Sequence, residues 1–128
     1  MAAEERIIEE SEKYVCFMSD QLFGHPTHQG HADKLQQVSM RLLLPRPLDS
    51  RELQSGLREL GVDFEVGVVD RVDVLLMLNE TMSGVAFPSL DGRLDYSRGF
   101  VGGSEEFHRW CLDLYSYYWA GAKKSKSV

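Results

Sequence analysis

Cysteine is scarce in this sequence of 128 residues, which has only Cys16 and Cys111. Two isolated cysteines do not make the disulfide framework that stabilises small secreted domains. Each lies inside an apolar run, where a free cysteine behaves as a small hydrophobic side chain. The cysteine content therefore favours a cytoplasmic protein.

Long apolar runs and clustered basic residues are also missing. The longest apolar stretches, such as residues 72–78, are too short to span a bilayer, and the N-terminus lacks the basic-then-apolar order of a signal peptide. The formal net charge of -6 disfavours a large nucleic-acid footprint, because phosphate binding needs clustered Lys and Arg. The one basic concentration is Lys123, Lys124 and Lys126. We expect no membrane partner and no direct nucleic-acid binding by this chain alone.

The chain length suits one domain, and a hydrophobic content of 43% is enough for a single core. No repeat, low-complexity segment or Gly/Ser/Pro-rich linker divides the sequence. We predict one α/β regulatory or sensor domain over residues 1–122, followed by a flexible basic tail over residues 123–128.

Hydrophobic periodicity predicts helices at 2–13, 32–37 and 49–60 and a long final helix from Ser104. Strands are predicted at 14–18, 38–44, 62–68, 72–78 and 82–87, followed by a turn-rich segment at 88–103. Helical crossovers favour parallel pairing of the first three strands, and short turns allow the last three to pair antiparallel. The predicted fold class is α/β, with a mixed, mostly parallel sheet flanked by helices.

Residues at the predicted helix ends support these boundaries. Asp49 is predicted to cap the third helix with Glu52 at the reciprocal capping-box position, and Gly61 supplies a left-handed end. Ser104 is predicted to cap the final helix. The lysines after residue 122 would complement the dipole at its other end.

Three histidines fall close together at His25, His28 and His31. Zinc needs three or four nitrogen, sulfur or oxygen ligands, so this segment is a weak candidate for a metal. The spacing is not an established ligand signature, and Pro26 and Gly30 are typical of an ordinary polar loop. We predict no metal site and no cofactor.

No catalytic set is visible in the sequence. His108 lies three residues before Cys111 on one helix, where the two side chains can approach. A catalytic cysteine needs an exposed, electropositive setting, whereas Cys111 lies between Trp110 and Leu112. The nucleophile-elbow, zinc-protease, P-loop and dinucleotide-binding motifs are absent. We predict no catalytic residue and no enzyme activity, with a small metal- or His-dependent hydrolase as the weaker alternative.

The final helix carries two neighbouring apolar stripes, although a surface helix needs only one. One stripe contains Phe107, Trp110, Leu114 and Tyr117, and the other contains Cys111, Tyr115, Tyr118 and Ala122, with Trp119 beyond both. Either both pack against the sheet, or one meets a partner or ligand, for which Trp and Tyr are well suited. The candidate interface residues are Trp110, Tyr115, Tyr118 and Trp119, and a homodimer is the commonest arrangement.

A ligand is expected at the carboxyl ends of the parallel strands, where open α/β sheets bind small molecules. Asp20, Arg46 and Arg71 follow the first three predicted strands and are the candidate ligand-binding residues. The two arginines would hold an anionic effector, with exposed turn arginines as the alternative interpretation.

Residues 84–119 resemble a known family of regulators. The resemblance consists of Gly84-Val85-Ala86-Phe87-Pro88, a D-G-x-x-D turn, and a closing aromatic helix. The turn is at Asp91, Gly92 and Asp95, and the helix matches at Trp110, Leu114, Tyr115, Tyr117 and Tyr118. These features are similar to the C-terminal regulatory region of archaeal winged-helix regulators: the methanogenesis regulatory protein family and, more distantly, the TrmB-like sugar-responsive regulators.

The resemblance implies a fold similar to half of a phospholipase D-like domain. Enzymes of that fold use an H-x-K-x4-D motif, from which His31-Ala32-Asp33-Lys34 departs by one residue, so the catalytic motif is lacking. The winged helix of such regulators is also missing. The implied function is a non-catalytic effector domain of a transcription regulator, which dimerises or senses a small-molecule effector without a DNA-binding domain of its own. A protein-interaction adaptor is the alternative.

Overall fold

The structure, a computed structural model, describes residues 3–20, 32–46, 48–88 and 94–126. Within these ranges the helices are α1 (Ala3–Glu9), α2 (Ala32–Leu35), α3 (Arg51–Glu59) and α4 (Glu105–Ala120). The strands are β1 (Tyr14–Met18), β2 (Ser39–Pro45), β3 (Asp63–Val69), β4 (Leu75–Leu78), β5 (Ser83–Pro88), β6 (Leu94–Gly102) and β7 (Lys123–Lys126). None of the described helices is both long and apolar enough to cross a membrane.

The described strands form one mixed sheet in the order β6-β5-β4-β1-β2-β3-β7. β2 pairs parallel with both β1 and β3, while the pairs β1–β4, β4–β5, β5–β6 and β3–β7 are antiparallel. The predicted α/β class, with a mixed sheet flanked by helices, is confirmed. The expectation of a mostly parallel sheet is wrong, because only the three strands that helices connect pair parallel, while the other four pairings of the described sheet are antiparallel.

The position of β4 corrects the predicted strand order. We expected β4 to pair with the preceding strand β3, but it pairs antiparallel with β1. All four residues of β4 are buried, so this strand needs neighbours and a covered face on both sides. The place beside β3 is taken instead by β7, whose lysines suit an exposed sheet edge.

Two strands were not predicted from the sequence. β6 lies in the segment predicted to consist of turns, and β7 lies in the segment predicted to be a flexible basic tail. β7 has no apolar residue and β6 contains two glycines, so neither shows the sustained alternation that predicts a strand. Both are edge strands in the described sheet. Edge strands are specified less by their own pattern than by the strand beside them.

The two faces of the sheet carry different helices. Cys16 and Arg41 are register partners and point to the face covered by α4, which we call the α4 face. On the opposite face, the Arg58 guanidinium of α3 lies 5.5 Å from the ring centre of Phe64. Ile7 of α1 also packs on that opposite face, because a Cβ added to Gly84 would lie 3.5 Å from its Cδ1 atom. The core therefore has two layers, one on each side of the sheet.

The helix ends agree with the sequence at two of three positions. The Ser104 hydroxyl accepts a hydrogen bond from the Phe107 N–H, as predicted, and Gly61 adopts a left-handed φ of 74° after α3. The predicted capping box is wrong, because Ser50 is the N-cap of α3 and makes no side-chain cap bond. Asp49 lies one position earlier and accepts a hydrogen bond from the Arg51 N–H at 3.0 Å, a local turn typical of Asp.

The turn between β4 and β5 fastens the N-terminal segment to the sheet. The side-chain amide of the buried Asn79 donates to the Ile7 carbonyl at 2.8 Å. The Glu80 carboxylate accepts hydrogen bonds from the backbone N–H groups of Glu12, Lys13 and Tyr14. Burial by itself raises the pKa of Glu80, but these N–H donors outweigh it and lower the pKa below its ordinary value.

We expect Glu80→Gln to lower the free energy of unfolding by about 1–2 kcal/mol at neutral pH, because a charged acceptor is lost from three N–H groups. A pKa that is lower in the folded state contributes stability above the unfolded value and loses it as the pH falls through the folded value. The difference between wild type and variant should therefore shrink below about pH 4. Urea unfolding across pH measures it.

The matched control is Glu12→Gln, which removes an exposed carboxylate beside the same turn while its backbone N–H donor stays. An equal loss of stability in both variants, or a Glu80→Gln effect that does not depend on pH, would contradict the assignment.

Candidate functional site

The predicted ligand-binding residues all lie at the carboxyl ends of the parallel strands β1, β2 and β3. Arg46 follows β2, and its backbone N–H donates to the carbonyl of Val69 at the end of β3, at 2.7 Å. Asp20 lies two residues after the end of β1. Both arginines, however, already have carboxylate partners. Arg46 Nη2 lies 2.8 Å from Asp70 Oδ1, and Arg71 Nη2 lies 2.7 Å from an Asp73 oxygen. Exposed pairs of this kind are typical of turn residues, and ligand binding at this edge stays a prediction.

The three histidines predicted as weak metal candidates, His25, His28 and His31, lie outside the described residues. In the part of the chain that the structure does describe, no group of three His, Cys, Asp or Glu side chains has the arrangement of a metal site.

His108 has a different partner from the one considered in the sequence. Its Nδ1 atom lies 2.7 Å from the Ser83 hydroxyl of β5, and Cys111, buried on the same helix, is close to the same hydroxyl. A Ser–His pair is the start of a hydrolytic site, but Ser83 has an exposure of 0%. A substrate carbonyl cannot reach this oxygen, so the geometry fits the docking of α4 on β5.

α4 runs across the strands rather than along them. At its beginning the Phe107 ring lies over Gly102 of β6, where an added Cβ would be 3.4 Å from Cδ2. In its second half the Tyr115 hydroxyl donates to the Phe17 carbonyl of β1 at 3.1 Å. Near its end the Trp119 ring covers Arg41 of β2. One helix therefore connects strands from one side of the sheet to the other.

A cavity of about 500 Å³ lies between the C-terminal half of α4 and the first residues of β1 and β2. The sheet contributes Tyr14, Cys16, Ser39 and Arg41, with Lys13 beside them. The helix contributes Leu112, Tyr115, Ser116, Trp119 and Ala120. The cavity is thus near the amino ends of the parallel strands, away from the edge that the sequence predicted.

Arg41 is the central charged group of this cavity. Its guanidinium carbon lies 5.0 Å from the ring centre of Trp119, within the range of a cation–π contact. Its Nε atom lies 4.0 Å from Glu65 Oε1, at the outer limit of an ion pair. The Lys124 ammonium of β7 lies 5.7 Å from the same Trp119 ring. Two cations therefore approach one indole beside the cavity.

The cavity floor includes the thiol of Cys16, which is buried. Burial raises the pKa of Cys16 to about 12, although the nearby Arg41 acts in the opposite direction. The thiol is accordingly neutral at physiological pH and is not a reactive thiolate. The wall is fixed by Tyr115, whose ring stacks with Trp119 at a centroid distance of 6.1 Å.

The four predicted interface residues differ in how much of their side chains is exposed. Tyr115 has an exposure of 2% and is enclosed in the protein's own core, so it has no surface for a partner. Trp110 has an exposure of 49%, and Tyr118 and Trp119 are half-buried. Tyr117, which was not among the candidates, is the most exposed of the helix aromatics at 76%.

These features define a class of protein: an α/β domain with a seven-stranded mixed sheet in its described part and a cavity under its closing helix. A scan against protein-family models finds no match for the sequence, and a search of curated proteins finds no match either.

One similar solved structure is TrmBL2, described as an archaeal chromatin protein whose structure shows a novel mode of DNA binding. The two chains share 16% sequence identity and superpose with a TM-score of 0.71, over 94% of this chain and 48% of TrmBL2. This chain therefore spans about half the length of TrmBL2. At this identity the likeness shows a shared fold, and the implied phospholipase D-like half stays a prediction.

Sequence reasoning missed Arg41 and the cavity. One signal was present, because Arg41 is a charged residue inside the apolar strand segment Met40–Leu44. A charge at such a position is uncommon in a strand covered on both faces. The other half of the site, Trp119, comes from a residue far along the chain, and no local pattern connects the two.

Gly67 of β3 makes room for the end of α4. A Cβ at this position would lie 2.9 Å from Leu43 Cδ2 and 3.0 Å from Trp119 Cζ3. We expect Gly67→Ala to lower the free energy of unfolding by about 1–3 kcal/mol, because the packed side chains must shift. Urea unfolding followed by tryptophan fluorescence measures both stability and the surroundings of Trp119.

The control is Gly103→Ala, whose Cβ would make an ordinary 3.6 Å contact with the Thr81 carbonyl oxygen. If the two alanine variants were equally stable, close packing of α4 over Gly67 would be refuted.

Proposed function

We propose that this chain is a non-catalytic regulatory domain related to the TrmB-like transcription regulators, which acts by sensing a ligand, by dimerisation, or by both. The observation that carries this proposal is the shared fold over 94% of the chain, at a TM-score of 0.71, with a protein described as binding DNA. The resemblance of residues 84–119 to regulators of this kind points in the same direction.

The charge of the chain supports a division of labour within such a regulator. Duplex DNA attracts surfaces rich in Lys and Arg, whereas this chain has a formal net charge of -6. The proposed domain therefore regulates without contacting DNA itself.

A non-catalytic role is supported by the condition of the nucleophiles. Ser83 and Cys111 are each fully buried, at an exposure of 0%. The Cys16 thiol is held neutral by burial. Acyl or phosphoryl transfer needs a nucleophile that the substrate can reach, and these three groups do not meet that requirement.

The exposed side of α4 supports dimerisation. Trp110 and Tyr117 are seven residues apart, which places them two turns apart on one side of the helix. Both rings are largely exposed, at 49% and 76%. Large amphipathic rings of this kind are the side chains that carry most binding energy in protein interfaces, and a two-fold dimer is the commonest assembly.

A protein-interaction adaptor is the second candidate, and the same observation favours it. The Trp110–Tyr117 side of α4 suits a different protein as well as a second copy. The mass of the purified chain in solution shows whether a second copy is the partner of this side.

We expect the chain to have twice its 14.6 kDa monomer mass in size-exclusion chromatography with light scattering at micromolar concentration. The double variant Trp110→Ala/Tyr117→Ala should raise the dimer dissociation constant at least about thirtyfold, since two interface anchors are removed. The control is Phe100→Ala, which removes an aromatic ring with 67% exposure from β6 instead of α4.

A chain that is monomeric at every concentration would refute dimerisation and leave ligand sensing and the adaptor role as the functions that a monomer can perform. A dimer that Phe100→Ala disrupts, while the α4 variant leaves it intact, would move the interface from α4 to the β6 edge.

We also expect no saturable binding of duplex DNA by this chain alone at about 0.15 M salt, as measured by fluorescence anisotropy. The reason is the net negative charge of the chain. Saturable binding that weakens steeply with added salt would show direct phosphate contacts and would contradict this division of labour. Replacing Lys123, Lys124 and Lys126 with Gln would then test whether β7 makes those contacts.

A further inference from the structure

We infer that the cavity beneath α4 binds a small organic anion, a ring compound bearing a carboxylate or phosphate group, with Arg41 as its anchor. The inference rests on the proposed regulatory function and names the chemical class of its effector. It also moves the site from the carboxyl ends of the parallel strands to the opposite half of the sheet.

The charge of the cavity differs from the charge of the molecule. The chain as a whole is acidic, with a formal net charge of -6. Among the described residues that line the cavity, the charged side chains are Lys13 and Arg41, both cationic. Three carboxylates touch lining residues from outside the cavity: Glu65 lies 4.0 Å from Arg41 Nε, Asp63 accepts from the Ser39 hydroxyl, and Glu80 accepts from the N–H groups of Lys13 and Tyr14. None of the three lines the cavity itself. Two cations in a concave site favour an anionic occupant.

The Arg41 guanidinium has donors to offer. Its ion pair with Glu65 is long, at 4.0 Å, and is made through Nε. Within the described part of the chain, no hydrogen bond holds the two terminal nitrogens of Arg41, and its side chain is half exposed. A planar guanidinium with free terminal N–H groups matches two oxygens of a carboxylate or phosphate at once.

The arginines at the other end of the sheet are poorer candidates for binding an anion, because each already has a close carboxylate partner. Arg46 and Arg71 hold Asp70 and Asp73 at 2.8 Å and 2.7 Å. An anion arriving there would have to displace a close carboxylate partner, whereas at Arg41 it competes only with a long contact. Arg41 is therefore the better anchor for an anion.

The residues of the cavity walls favour a ligand that contains a ring. Trp119 covers the guanidinium on one side at 5.0 Å and thereby fixes its orientation. The half-buried Tyr14, Leu112 and Trp119 offer apolar surface in the cavity, which a bare ion would not cover. A volume of about 500 Å³ lies within the usual range of small-molecule sites, roughly 300–1,000 Å³.

The test uses Trp119 as its own reporter. The chain has two tryptophans, of which Trp119 lines the cavity and Trp110 does not. The probes are three anions with their neutral counterparts: glucose 6-phosphate and glucose, AMP and adenosine, benzoate and benzamide. Inorganic phosphate is added as an anion without a ring.

We expect at least one of the three ring-bearing anions to change Trp119 fluorescence saturably and to raise the melting temperature, since a ligand that binds the native state stabilises it. Its neutral counterpart should bind at least about tenfold more weakly, as the loss of a charged hydrogen-bonded pair requires. Which anion succeeds shows whether the effector carries phosphate or carboxylate.

Three results would overturn the inference. They are the absence of saturable binding by all three anions into the millimolar range, equal affinity for an anion and its neutral counterpart, and inorganic phosphate binding as tightly as the ring compounds.

Variants locate the site. Arg41→Gln should weaken binding of the successful anion at least about tenfold, and Arg41→Lys should retain part of the affinity because the charge remains. The matched controls Arg46→Gln and Arg71→Gln remove arginines from the opposite end of the sheet and should leave affinity unchanged. If these two abolished binding while Arg41→Gln did not, the site would be at the carboxyl edge and the inference would be wrong.

A second variant does not depend on Arg41. Ser116 is an exposed residue of α4 that lines the cavity, so Ser116→Tyr fills the space without touching the core. Unchanged affinity in a folded Ser116→Tyr protein would also overturn the inference. Failure of anion binding together with an intact dimer would remove this site and leave regulation by dimerisation standing, whereas anion binding by a monomer would keep this site and ligand sensing and remove only the proposed dimer.

Discussion

The placement of α4 across the strands determines both the cavity and the exposed aromatic side chains of this protein. The Tyr115 hydroxyl holds the helix to the backbone of β1, and the lack of a side chain at Gly67 lets Trp119 approach β3. Because the helix lies across the sheet, it leaves space at the amino ends of β1 and β2 and directs Trp110 and Tyr117 outward. The cavity and the proposed interface therefore have one structural cause.

The arginines show how similar residues acquire different roles from their neighbours. Arg46 and Arg71 lie in exposed turns, where each forms a close ion pair with a neighbouring aspartate. Arg41 has an indole on one side and only a distant carboxylate on the other. A regulatory domain that shares its fold with about half of TrmBL2 would thus combine an anion site on the sheet side of α4 with a contact surface on its outer side.

Much of the fold was predictable because local patterns carried it. The run Tyr14–Met18 was found with its observed bounds. Ser104 begins α4 and Gly61 follows the end of α3, as their chemistry predicts. The edge strands β6 and β7 were not predictable, because their pairing partners and not their own patterns define them. The candidate site was missed for the same reason, since its two main residues, Arg41 and Trp119, meet only after β2 and α4 have packed together.

The sequence by itself determined an α/β domain with three parallel strands, a capped aromatic helix and an acidic surface charge, because period, capping and composition are local or additive properties. Tertiary structure alone decided that β4 lies beside β1, that Tyr115 faces the core while Tyr117 faces outward, and that a cation lies under Trp119. These outcomes depend on which helices and strands pack against one another and exclude water between them. That depends on contacts between residues far apart in the chain, which no local pattern records.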